Sequence, residues 1–103
     1  MKLYIVHTGF YDKNIDDGFY EQHSNIILVA SCAYDAREMV KQNPDFIAKN
    51  MHIDGIKEIE VLDGYKLVME PTNDSDKINN YNHTQVRFLK SNYRLDHLLK
   101  FLQ

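Results

Sequence analysis

Apolar and polar positions alternate with period two over residues 2–8. Leu3, Ile5 and His7 fall on one side and Tyr4, Val6 and Thr8 on the other, which predicts a strand apolar on both faces until His7 and Thr8. Residues 26–30, Ile26-Ile27-Leu28-Val29-Ala30, form an unbroken apolar block. It is too short for a helix and rich in β-branched side chains, so it predicts a central strand covered on both faces. One cover follows directly: Ser31 suits the N-cap of a helix running to about Asn43, with Ala33, Ala36, Met39 and Val40 facing inward and Pro44 closing it. The other cover comes from the chain end, where Leu95, Leu98, Leu99 and Leu102 recur at i, i+3, i+4 and i+7 behind Ser91 or Asn92 as cap. Such a helix packs on the free face of its own sheet or on a partner subunit.

Residues 52–65 predict a hairpin around Asp63-Gly64. A two-residue loop would set Val61 against Lys66 and divide the apolar side chains between the faces. A three-residue loop, Leu62-Asp63-Gly64, pairs Val61 with Tyr65, Ile59 with Leu67, Lys57 with Met69 and Glu60 with Lys66, and puts Gly64 at the left-handed bulge position. The longer loop is therefore expected.

Between the first two strands, residues 9–22 exceed the usual hairpin connection and mix Phe10, Tyr11, Phe19 and Tyr20 with Asp12, Asp16, Asp17 and Glu21. After Pro71 the chain turns polar. These patterns predict an α+β core domain over residues 1–71, a polar linker over 72–83, and a short strand at 86–90 followed by the amphipathic helix in a segment spanning 84–103. The expected architecture is a mostly antiparallel sheet of four or five strands in the order ββαββ, then a C-terminal helix. An exposed sheet edge and an underfilled face favour a homodimer.

Composition narrows the class. In 103 residues, 44% apolar and 26% charged, there is room for one core but not two. Cys32 is the single cysteine and has no internal disulfide partner, which places the chain in a reducing compartment. No apolar run approaches a membrane span, and the opening residues are too short an apolar block for a leader peptide, so a cytoplasmic protein without a membrane partner is expected. Charge is uneven: residues 1–76 hold 7 Lys/Arg against 14 Asp/Glu, whereas residues 77–103 hold 5 basic residues against Asp96 alone.

That basic tail, with Tyr81, Phe88 and Tyr93 among Arg87, Lys90 and Arg94, has the composition of a single-strand nucleic-acid contact. The acidic body opposes phosphate binding, so nucleic acid is not the expected partner. His52 and Asp54 share a face if extended, and His23 offers a third ligand, which makes these three the candidate metal set and the candidate acid/base set. The commoner role of such residues is a hydrogen-bonded surface patch, and no cofactor is assigned. Asp12-Lys13-Asn14-Ile15-Asp16-Asp17-Gly18 imitates a calcium loop through its first positions. It then fails, with glycine one place late and His23 at the twelfth position, so it reads as a solvated acidic loop. Cys32 reads as a small buried residue at a strand-to-helix junction, and His7 as a hydrogen-bonded core or rim histidine.

Leu3-Tyr4-Ile5-Val6, Gly9, Asn14-Ile15, Glu21-Gln22-His23, residues 26–29, His52-Ile53-Asp54 and Leu62-Asp63-Gly64-Tyr65 together resemble a family of small bacterial proteins, the domain of unknown function numbered fifteen forty-three. The resemblance covers about residues 2–70. It departs at Thr8-Gly9, where the family has two glycines, at Ser24 in place of an aspartate, at Ile56 in place of a tryptophan, and in a longer first loop. It implies a bacterial source and a domain of this length, and it brings no activity with it. The function expected from the sequence is a small noncatalytic binding or protein-interaction module, whose ligand or partner surface holds Tyr11, Tyr20, Glu21, His23, His52 and Asp54. The alternatives are a metal-assisted or acid/base hydrolytic enzyme using His23, His52 and Asp54, and nucleic-acid contact through the tail.

Overall fold

The structure is a computed structural model that describes residues 1–90. The chain forms two compact units, Met1–Pro71 and Thr72–Gln103. The first unit is α+β. Strands β1 (Lys2–Tyr11), β2 (Glu21–Ala30) and β3 (His52–Ile59) form one antiparallel sheet in the order β2-β1-β3, with helices α1 (Ala33–Lys41) and α2 (Pro44–Ala48) between β2 and β3. A separate two-stranded hairpin follows, β4 (Val61–Leu62) and β5 (Tyr65–Lys66). Among the described residues the main sheet thus has three strands rather than four or five, because the chain leaves it after Ile59 and the hairpin pairs only with itself.

The strand order also revises the role of the apolar block. The central strand is β1; β2 is an edge, and its residues Ile27 and Val29 are 64% and 36% exposed. Alternation along β1 explains the difference. Tyr4, Val6, Thr8 and Phe10 point to a face that packs with Ala30, Leu28 and Ile56 and with Ala36 of α1, while Val40 is buried on the same helix. The buried Thr8 hydroxyl donates to the Ser24 carbonyl 3.1 Å away, so its burial leaves no polar atom unpaired. The opposite face carries cross-strand rows: Val29-Leu3-Ile59, Ile27-Ile5-Lys57, Asn25-His7-Gly55 and His23-Gly9-His52. One half of this face is apolar and the other polar.

Local chemistry shifts several boundaries. Cys32, not Ser31, occupies the N-cap of α1, and it is exposed rather than buried; the Ser31 hydroxyl instead bonds the Asp35 carboxylate one turn ahead. Ala36 and Val40 face inward as the spacing requires, but Ala33 and Met39 are exposed, so the buried stripe is narrower than expected. Pro44 does not merely end a helix. It opens α2, where its missing N–H costs nothing, behind Asn43, whose side chain accepts from the Asp45 and Phe46 amides. Asn50, at φ +48, then turns the chain into β3.

The hairpin takes the two-residue loop. Leu62 pairs with Tyr65 and Val61 with Lys66, and Asp63 (φ +53) and Gly64 (φ +82) both lie in the left-handed region. Two such residues make the turn whose twist matches paired strands. The argument from apolar faces fails here because the hairpin side chains are exposed on both sides, so dividing them between faces costs little.

In the second unit, α3 (His83–Arg87) occupies sequence expected to be linker and then strand. A reciprocal cap explains it: the Asn82 side chain accepts from the Gln85 amide, and Gln85 Oε1 accepts from the Asn82 amide, both at 2.9 Å. The expected helix containing Leu95, Leu98, Leu99 and Leu102 lies outside the described residues.

Candidate functional site

At the polar end of the sheet face opposite α1, Gly9 sits in the centre of the sheet with His23 beside it on β2 and His52 beside it on β3. Strand pairing sets both histidines at the same level, flanking a residue that has no side chain. Asp54 joins them through an irregularity. The register between β1 and β3 shifts between His7 and Thr8, since His7 pairs with Gly55 while Thr8 pairs with Ile53, leaving Asp54 as the extra residue of a β-bulge. The bulge keeps Asp54 on the same face as His52 and turns its carboxylate toward Gly9. Glu21, opposite Tyr11 at the start of β2, reaches the same point from the other strand.

The side chains close into a compact group. His52 Nε2 lies 2.7 Å from Glu21 Oε1 and 3.1 Å from Asp54 Oδ1. His23 Nδ1 lies 3.3 Å from both Asp54 Oδ2 and the Thr8 carbonyl oxygen. Those two neighbours are acceptors, which assigns the proton to Nδ1; its hydrogen bond goes to the Thr8 carbonyl, with the Asp54 carboxylate close beside it. The His7 ring stacks on His23, centroids 4.9 Å apart and planes 9° apart, and its Nδ1 pairs with Asn25 Oδ1 at 2.9 Å. Glu21, His23, His52 and Asp54 are each a third to a half exposed.

The three residues singled out as a possible ligand set, His23, His52 and Asp54, are therefore together, and Glu21 is with them. The sequence points to Glu21 as part of a binding surface but not as a ligand; nothing in its local spacing pairs it with His52, 31 residues away. Among the described residues, two donor triads have ligand atoms within 4.8 Å of one another: Glu21, His52 and Asp54, and His7, His23 and Asp54. The second is the poorer chelate. An imidazole lone pair lies in the ring plane, and two nearly parallel stacked rings cannot direct theirs to one point.

Tyr11 and Tyr20 are exposed and lie outside both triads; Tyr20 packs edge-on against Phe19. The acidic loop folds on itself as a short 3-10 turn, Asp16–Gly18, with Asp12 accepting from the Asn14 amide. His7 is exposed on the open face rather than set in the core. At the other end of the sheet, buried Tyr4 donates to Glu58, and Lys2 bridges Glu60 at 2.8 Å and Glu58 at 3.6 Å. The hydrogen bond to Glu58, aided by burial, pushes the Tyr4 phenol up to about 12, and the same bond holds the Glu58 carboxyl below its usual range.

No family model, no curated protein and no solved structure matches the chain.

Proposed function

We propose that this chain is a small noncatalytic binding module of the bacterial cytoplasm that works through the face of its three-stranded sheet opposite α1 and pairs there with a second copy of itself. The observation that carries the reading is Ile27, 64% exposed on the edge strand of an apolar half-face that also holds Leu3, Ile5, Val29 and Ile59. A sheet buries its apolar face against another layer, and among the described residues α1 supplies that layer on one side only. The edge favours the same occupant: β2 runs ten residues without a lysine, an arginine or a proline, the usual guards of an exposed edge.

Membership of the domain family resembled above belongs to this proposal. Gly9, Glu21, His23, His52 and Asp54, which are among the positions that carry the resemblance, meet on this face. A cytoplasmic setting is supported by the exposed, unpaired Cys32, and no helix among the described residues is long and apolar enough to cross a membrane. Sedimentation equilibrium over a range of protein concentrations tests the reading: a dimer in the micromolar range is expected, and a monomer at every concentration rejects it.

A further inference from the structure

We infer that the Glu21–His52–Asp54 triad is a binding site for one divalent first-row transition ion, of the zinc or manganese type, with its remaining coordination positions open to water. The inference goes beyond the interaction reading and does not require a dimer.

The first support is the space over Gly9. A Cβ built there would lie no more than 2.8 Å from Glu21 Oε1, His52 Nε2 and Asp54 Oδ2 together. Three donor atoms, brought in by the two strands that flank β1, thus converge over the Gly9 Cα in space that any side chain there would take. Gly9 has no positive φ to explain its identity, so space is its role. In a tetrahedral site with bonds of about 2.0–2.2 Å, ligand atoms sit about 3.4 Å apart. The contacts of His52 Nε2 with the two carboxylates, 2.7 and 3.1 Å, need to open by less than an ångström to reach that spacing, a shift within reach of exposed side chains.

The second support is a shortage of protons. His52 Nε2 faces two carboxylate oxygens and carries at most one hydrogen, so it cannot bond well to both. Among the described residues no lysine or arginine pairs with Glu21 or Asp54. A divalent ion in place of that single proton would meet all three groups and offset both negative charges.

The surrounding layer fits the same assignment. His23 Nδ1, bonded to the Thr8 carbonyl, lies 3.3 Å from Asp54 Oδ2 and so stands against the carboxylate from outside, where groups behind a ligating carboxylate sit. Stacked His7, paired with Asn25, holds the His23 ring in turn. Nitrogen with two carboxylates suits zinc, manganese or iron(II) better than calcium, which takes six to eight oxygens.

Equilibrium dialysis of Zn²⁺ against the intact chain, followed by metal analysis, tests the assignment, with the circular dichroism spectrum and thermal midpoint of each variant recorded beside it. The wild-type chain is expected to hold one zinc per molecule. Gly9→Ala and Asp54→Asn should remain folded and lose that ion, and His23→Gln should keep it with affinity reduced about 10- to 100-fold. Wild-type protein that takes up no zinc, or folded Gly9→Ala or Asp54→Asn protein that binds it as tightly as wild type, overturns the site. Calcium bound as tightly as zinc overturns the assigned class of ion.

Discussion

Tyr4 shows how much a single residue's neighbours decide. It reads in the sequence as one more apolar strand position, yet its phenol is buried and donates to Glu58 across the β1–β3 pairing. Because the folded phenol titrates near 12 against an ordinary 10, the stability it contributes is complete below about pH 10 and is lost as pH rises through 12. Glu58 has the opposite sign: its lowered carboxyl contributes above about pH 4.5 and loses that contribution as acid protonates it. An absorbance titration should therefore show a tyrosine ionisation near pH 12 that Tyr4→Phe removes. Gly9 is the complementary case. The atoms a Cβ would meet are the far ends of flexible side chains, so Gly9→Ala should leave the sheet intact or stabilise it by about 0.5–1 kcal/mol, as alanine does over glycine within a strand, while closing the space among the donors.

Caps and turns settle the elements. Asn43 alone satisfies two amides at the start of α2, and Asn43→Ala should cost about 1 kcal/mol in chemical denaturation. Gly64 sits at φ +82 in a turn that needs two left-handed residues; Gly64→Val should cost the hairpin about 1–3 kcal/mol. The hairpin is small and exposed, so the loss is expected as faster hydrogen exchange at the Leu67 amide, which donates to the Glu60 carbonyl at 2.9 Å. Unchanged exchange there would show that the turn does not hold the hairpin. Both strands of the β1–β2 pair were legible from their apolar runs, but their ends were not. Tyr11 and Glu21 extend the ladder well past the apolar residues, because backbone pairing continues wherever two antiparallel strands stay in register, whatever their side chains.

For the whole molecule the central question is the sheet face opposite α1, which no other described residue of the first unit covers. Burying an exposed isoleucine against a second copy removes apolar area from water at about 25 cal/mol per Å². A charge at position 27 would have to be buried in the same contact. Ile27→Glu is therefore expected to shift the dimer to monomer in sedimentation without lowering the thermal midpoint of the monomer, since Ile27 contributes nothing to the core cluster of Tyr4, Ala30 and Ala36. A variant that remains dimeric would move the contact elsewhere.

The sequence by itself determined the α+β class, the two long strands, the helix after the second, and the turn at Asp63-Gly64. Periodicity, capping residues and glycine act within a few residues of chain and need no distant partner. It also named His23, His52 and Asp54 as a candidate set, through types and spacing alone. Tertiary structure decided which strand is central, because strand order depends on the pairing of β3 with β1, a contact across some fifty residues that no local pattern encodes. It decided the exposure of Ile27, since an apolar run looks the same at an edge as in the middle of a sheet. It decided the place of Glu21 in the site as well, because the bulge at Asp54 and the empty space over Gly9 arise only when three strands lie side by side.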